Sequence, residues 1–117
     1  MANYLYITRA TEWGGGEDFP IGSAEWLAFA EADPRLEPDE GGGSLDWVFT
    51  CTDGTKAWLS WKLHVIEVRG THAKDADLAV LARDLTARLV DTDYDEEYHP
   101  NGTTTPWSES RRPILPG

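Results

Sequence analysis

The sequence predicts a single α+β domain: a four-stranded antiparallel sheet with two helices on one face, in the ferredoxin-like order β-α-β-β-α-β. Three observations predict it. A chain of 117 residues has room for one hydrophobic core and little more. Several short segments alternate apolar and polar residues, as strands do, and two others repeat apolar residues at helical spacing. The predicted domain spans residues 1–102, and residues 103–117 form an extended, proline-containing C-terminal tail.

The first strand and the first helix are predicted close to the start of the chain. Residues 4–8 are aromatic and β-branched, which is typical of a strand. The segment "PIGSAEWLAFAEADP" predicts a helix with Gly22 or Ser23 as its N-cap. If Gly22 is the cap, Glu25 falls at the third helical position and reaches back to it. Pro34 disfavours helical geometry at the residue before it, so the helix is expected to end there.

The centre of the chain predicts a β-hairpin with arms at residues 45–51 and 56–70. Asp53-Gly54 is the residue pair favoured in a tight type I′ turn between them. Because side chains alternate along a strand, Cys51 shares a face with two aromatic residues and is expected to be a buried, inert thiol. The face without helices is expected to carry Trp58, Ser60, Lys62, His64 and Ile66. An exposed tryptophan there indicates a contact surface.

A second helix and a last strand complete the predicted order. Residues 73–89 form an amphipathic helix by the helical spacing of their apolar residues, which are Leu78, Leu81, Ala82, Leu85 and Leu89. The last strand starts within residues 87–91 and leads into an acidic stretch. The tail beyond it is expected either to stay extended or to fold Trp107, Ile114 and Leu115 back over the open sheet face.

The charge of the chain restricts its partners. Asp and Glu number 21 against 10 Lys and Arg, which gives a formal net charge of −11. Such a chain is repelled by nucleic acid and by anionic membranes, and it suits a partner with a basic face. The single cysteine excludes an internal disulfide. No signal peptide or membrane-spanning run is recognisable, so a cytoplasmic location is expected.

The stretch "DTDYDEEYHPNG", residues 91–102, is rich enough in carboxylates to be considered as a metal-binding loop or a catalytic acid cluster. In a calcium loop of this length, Glu96 stands where glycine is needed and Gly102 where the bidentate glutamate is needed. We therefore expect no metal and no cofactor. Acid–base catalysis needs carboxylates in separated environments, whereas acids on a loop are expected to be solvated and ionised. The sequence thus predicts that the protein has no catalytic residue and is not an enzyme. Two interpretations of this stretch stay open: a solvated turn, or an acidic patch that binds a partner.

Three segments resemble a set of small acidic bacterial proteins. They are "ITRATEW", "PIGSAEWLAFAEADPRL" and "LARDLTARLVDTDYDEEY", and the resemblance covers about residues 4–98. In that set a strand ending in Ile-Thr-Arg, a helix with a Glu-Trp pair and an acidic segment ending in Tyr recur in this order. The resemblance carries over no catalytic residue. In size and charge the chain is also similar to immunity proteins, which neutralise bacterial toxins.

The favoured hypothesis is a small binding protein, an immunity protein or similar inhibitor that occludes the basic active site of a toxin enzyme. The residues expected to bind the partner are Glu37, Asp39, Glu40, Trp58, His64, Asp95, Glu96, Glu97 and Tyr98. Two alternatives stay open. One is a small-molecule binder or small enzyme with a pocket lined by Trp58, His64 and Tyr98. The other is a homodimer that pairs its open sheet faces.

Overall fold

The computed structural model describes residues 5–10, 20–70 and 75–107. Within them lie two helices and eight strands. In chain order these are β1 (Leu5–Thr8), α1 (Ser23–Ala32), β2 (Leu36–Pro38), β3 (Asp46–Thr50), β4 (Lys56–Lys62), β5 (Val65–Arg69), α2 (Asp75–Asp84), β6 (Arg88–Asp91), β7 (Glu96–Tyr98) and β8 (Thr104–Pro106).

All eight strands form one antiparallel sheet in the order β2-β3-β4-β5-β1-β6-β7-β8. The α+β class is consistent with the prediction, but the four-stranded ferredoxin-like sandwich is wrong. Strand β1 lies in the middle of the sheet, paired with β5 on one side and β6 on the other. The sheet is therefore twice as wide as predicted.

Three of the additional strands have only three residues each. Strand β2 contains Glu37 and Pro38, residue types that are depleted in strands, and β7 and β8 follow the last predicted strand. Sequences this short carry no readable alternation, and their hydrogen-bond partners come from the neighbouring strand. Strand β8 begins inside the predicted tail, and residues 108–117 of that tail, including Ile114 and Leu115, lie outside the described residues.

The fourth additional strand arises because the predicted second arm of the hairpin is two strands. Leu63 adopts a left-handed backbone conformation, with φ of 58°, in a turn that pairs Lys62 with Val65. Neither residue of the turn is a glycine, proline, asparagine or aspartate, so the sequence carries no turn signal there. The two-residue turn shifts the alternation by one, and Ile66 is fully buried on the helix side. Its predicted place on the open face is wrong.

The turn between β3 and β4 is also of a different type from the one predicted. The N–H of Gly54 donates to the carbonyl of Cys51 at 3.0 Å, and Gly54 has φ of 88°. A type I′ turn needs positive φ at both central residues, and Asp53 does not have it. The connection is a type I turn followed by a left-handed glycine. Cys51 is buried in the core, which confirms the predicted burial of its thiol.

Helix α1 matches its prediction and α2 is shorter than predicted. Gly22 is the N-cap of α1 and Asp33 its C-cap. Helix α2 ends at Asp84, because Thr86 turns left-handed (φ 55°) and the N–H of Ala87 closes back on the carbonyl of Ala82 at 2.8 Å. This is a Schellman-type end. Leu89, predicted as helical, lies instead in the middle of β6.

Both helices pack on the same face of the sheet and share one hydrophobic core with it. Trp26 of α1 is fully buried and donates its indole N–H to the carbonyl of Leu45 at 3.0 Å. Leu78 and Leu81 supply the buried side of α2. In the described part of the chain, no helix has the length and apolarity needed to cross a lipid bilayer.

Two arginines tie the helices to the sheet, one just after the central strand β1 and the other just before the edge strand β2. Arg9, just after β1, forms a two-pronged ion pair with Glu25 of α1 and donates to the carbonyl of Leu85 at 2.7 Å, just beyond α2. Its hydrogen bond holds the pKa of Glu25 below the usual value. Arg35 pairs with Asp33 and with Asp84 and lowers the pKa of Asp33 in the same way. Charge-assisted pairs of this kind fix orientation as well as adding stability.

Candidate protein-binding surfaces

The carboxylates of the stretch 91–102 do not form one solvated cluster. Asp91 is 1% exposed, and its Oδ1 accepts the N–H groups of Asp93 at 2.9 Å and Tyr94 at 3.2 Å. It therefore holds the turn between β6 and β7 in shape. The prediction that these acids are mostly solvated is wrong for Asp91 and for Glu97, which is also buried.

Glu97 is committed to an internal ion pair. Both of its carboxylate oxygens lie 3.4 Å from Nη1 of Arg88, and both side chains are about a tenth exposed. Nδ1 of His99 is 3.8 Å from Glu97, while its Nε2 lies 2.7 Å from the hydroxyl of Thr105. This arrangement joins β6, β7 and β8, and a buried pair of this kind cannot be presented to a partner without breaking it.

Glu96 and Tyr98 lie on the opposite side of β7, towards the helices. The Tyr98 hydroxyl donates to Glu96 at 3.3 Å. Burial, followed by the negative charges of Asp75, Glu96 and Asp91, raises the pKa of Tyr98 to about 12. Burial, with the charges of Asp91 and Glu96, also raises the pKa of Asp75 at the start of α2. Despite this crowding, the described residues contain no group of three or more His, Cys, Asp or Glu side chains placed to hold a metal ion.

The exposed part of the acidic stretch is the tip of the β6–β7 turn. Tyr94 is 66% exposed there, and Asp93 beside it is exposed as well. Asp95 follows with φ of 52°, and its carbonyl accepts the N–H of Trp107 at 3.0 Å. We call residues 93–95 the Tyr94 tip. Tyr94 was absent from the predicted site residues, although an aromatic between two acids in a turn was the available signal.

The second predicted acidic patch lies at the other end of the sheet. Glu37 of the edge strand β2 pairs with Lys56 at 3.3 Å, and both side chains are about half exposed. Asp39 accepts the N–H of Gly41 at 3.2 Å, and Glu40 is exposed in the same loop. Strands β2 and β7 are six steps apart in the sheet, or about 29 Å along its surface. The two patches therefore do not form one surface.

Trp58 lies on the helix-free face, 41% exposed, between Val48 of β3 and Arg69 of β5. His64 lies in the β4–β5 turn instead of on a strand, and its carbonyl accepts the N–H of Ile21 at 3.0 Å. Tyr98 packs against the core on the helix side. Trp58 and Tyr98 are thus on opposite faces of the sheet, and the predicted pocket shared by Trp58, His64 and Tyr98 does not exist.

The helix-free face has an exposed half and a covered half. The exposed half, on β2 to β5, carries Trp58 at 41% exposed, although Val48 and Ser60 beside it are buried. In the covered half, on β1 and β6 to β8, Thr8 and Val90 are buried and the side chains of Arg88 and Glu97 are about a tenth exposed, although neither described helix lies over them. Trp107 supplies part of the cover: it is 5% exposed, and its indole N–H donates to the carbonyl of Ala10 at 3.1 Å.

Charge is distributed unequally between this face and the rest of the molecule. The described residues include seven lysines and arginines, and four of them lie on the helix-free face. They are Lys56, Lys62, Arg69 and Arg88, and the four carboxylates on the same face are Glu37, Asp46, Glu67 and Glu97. Outside this face the described residues include 13 carboxylates and only three cationic side chains, all arginines. Counted over the described residues, the helix-free face carries no net charge, and the acidic excess lies elsewhere.

In the described part of the three segments compared with small bacterial proteins, several side chains have structural roles, and residues 11–13 of the first segment lie outside the described residues. Arg9 and Glu25 form the ion pair between β1 and α1, Trp26 is the fully buried anchor of α1, and Asp91 shapes the β6–β7 turn. No family model, no curated protein and no solved structure matches this chain.

Proposed function

We propose that the protein is an acidic protein-binding module, an immunity-type inhibitor that occludes the basic active site of a toxin enzyme. The observation that carries the proposal is the Tyr94 tip: an exposed aromatic side chain between Asp93 and Asp95, on a turn braced by a buried carboxylate. Tyrosine is a frequent anchor at protein interfaces because its ring buries a large area while its hydroxyl stays hydrogen-bonded.

The acidic excess outside the helix-free face supports the same proposal. Twelve described carboxylates besides the buried Asp91, against three arginines, give this part of the molecule a strongly negative field, which accelerates encounter with a cationic partner and repels nucleic acid. The negative field raises the association rate and orients the partner as it approaches, and the Tyr94 ring supplies a contact from which water is excluded. Glu40, at the far end of the sheet, contributes to the field and is too distant to share the contact.

The test begins with capture of a cationic protein from the source cells and continues with the purified pair. We expect Tyr94→Ala to weaken binding by about tenfold or more, as loss of an interface anchor does. Asp93→Lys should slow association, with an effect that shrinks as salt is raised. Glu31→Lys is the matched control, because it makes the same charge change on an exposed position of α1.

The partner's own activity decides between inhibition and mere binding. We expect its catalytic rate to fall in proportion to the fraction bound, and to recover with the Tyr94→Ala variant. Charge reversal at Glu97 is unsuitable as a test because it breaks the internal pair with Arg88. If Tyr94→Ala and Glu31→Lys bind equally well, the Tyr94 tip is not the contact and the proposal fails.

A further inference from the structure

The exposed half of the helix-free face contains a row of four side chains in register across four strands. Strand pairing places Glu37 of β2 beside Val48 of β3, Val48 beside Trp58 of β4, and Trp58 beside Arg69 of β5. The row therefore has an anion at one end, two apolar side chains in the middle and a cation at the other end. We call it the Trp58 row.

The Trp58 row is complementary to itself. A two-fold axis parallel to the strands and between β3 and β4 exchanges β2 with β5 and β3 with β4. It places Glu37 of one copy against Arg69 of the other, and Val48 of one copy against Trp58 of the other. A two-fold interface requires a patch that matches itself in this way. From this geometry we propose that the exposed half is a homodimer interface.

Charge complementarity selects a second copy over a basic partner. Three cations and three carboxylates lie on this half: Lys56, Lys62 and Arg69, with Glu37, Asp46 and Glu67. A neutral face gives a cationic partner no advantage, and two such faces meet without net repulsion. The acidic surfaces of the two copies then point away from each other, where salt screens them beyond a Debye length of about 8 Å.

The exposed side chains are suited to a face-to-face contact. Side-chain exposure is 60% for Glu37 and 50% for Arg69, and Trp58 is 41% exposed. Two sheets pack face to face about 10 Å apart, and because Val48 is only 8% exposed, the Trp58 ring of each copy supplies most of the apolar contact. The four strands give a patch about 19 Å wide, which is narrow for a protein interface. The dimer is therefore weak and forms only at high concentration.

Sedimentation of the full chain from micromolar to millimolar concentration tests the proposal. The mass should rise from 13.0 kDa towards twice that value. Trp58→Ala should weaken association by about tenfold or more, because it removes the central apolar contact. Arg69→Glu alone and Glu37→Arg alone should each weaken it too, because each sets two like charges opposite one another.

The double variant Glu37→Arg/Arg69→Glu is the decisive measurement. It exchanges the two ends of the Trp58 row, so it should restore the association that each single variant loses. Arg83→Glu is the control, since it makes the same charge change on an exposed position of α2 and should leave association unchanged. A chain that stays monomeric at millimolar concentration overturns the proposal. So does a double variant that associates no better than the two single variants.

Discussion

The two halves of the helix-free face use the same kinds of side chain for different purposes. Each half has a tryptophan and an Arg–Glu pair: Trp58 with Arg69 and Glu67, and Trp107 with Arg88 and Glu97. In the covered half the tryptophan is 5% exposed, and in the exposed half it is 41% exposed. The difference teaches that residue type does not decide whether a side chain stabilises the fold or meets a partner. The deciding factor is whether other parts of the chain cover that side chain.

The largest expected effect separates the two tryptophans. Trp107→Ala should lower the free energy of unfolding by about 3–5 kcal/mol, since it empties a buried site and leaves the Ala10 carbonyl without its donor. Trp58→Ala should cost less than about 1 kcal/mol in the monomer, because that ring is partly in water. Urea denaturation at micromolar concentration measures both. Equal losses in the two variants would show that the halves do not differ as described.

A smaller difference is expected between the two glutamates. Glu97→Gln leaves Arg88 charged in a site where both side chains are about a tenth exposed, so we expect a loss of about 2 kcal/mol. Glu67→Gln is the matched control, because its partners Lys62 and Arg69 are half exposed and water can replace the pair. Its cost should stay below about 1 kcal/mol. A Glu97→Gln protein as stable as the control contradicts the buried pair.

The smallest expected effect is the pH dependence of the stability that Asp46, in the exposed half, contributes to the fold. A hydrogen bond from the N–H of Gly43, then one from Ser60, lowers the pKa of Asp46 below its ordinary 3.8. A carboxyl whose pKa is lowered by folding stabilises the fold above its unfolded pKa, and that contribution is lost as the pH falls through the folded pKa. Asp46→Asn should therefore cost less than about 1 kcal/mol at neutral pH.

The difference in stability between the wild type and Asp46→Asn should shrink below pH 3.8. Measuring the difference isolates Asp46 from Glu25 and Asp33, whose pKa values are lowered in the same direction. Thermal unfolding of both proteins between pH 2 and 7 gives the profile. A difference that does not change with pH rules out a role for the Asp46 charge.

Features with a local physical cause were predicted from the sequence. Gly22 caps α1, and Pro34 ends it, because a backbone preference at one or two residues is enough. Cys51 is buried because alternation along one strand places it with the core. The β4–β5 turn was missed because Leu63 adopts its left-handed conformation with no residue that favours it.

The candidate sites were predicted less well, because the direction in which a side chain points depends on strands the sequence did not reveal. Glu96 and Glu97 are neighbours in the sequence and lie on opposite faces of β7. Trp58 and Tyr98, assigned to one pocket, are also on opposite faces. Tyr94 is held in position by the buried carboxylate of Asp91. The sequence predicted that all the acids of this stretch lie on a solvated loop, so it gave no reason to expect a buried aspartate.

The amino-acid sequence by itself determined the α+β class, the first helix and its cap, the acidic charge and the exposure of a tryptophan on a sheet. These follow from local preference, periodicity and composition. Only the tertiary structure decided the eight-strand width and the division of one sheet face into a covered and an exposed half. It also decided that Glu37, Val48, Trp58 and Arg69 form one row. The reason is that strand pairing joins residues far apart in the chain, and short strands exist only where a neighbour supplies their hydrogen bonds.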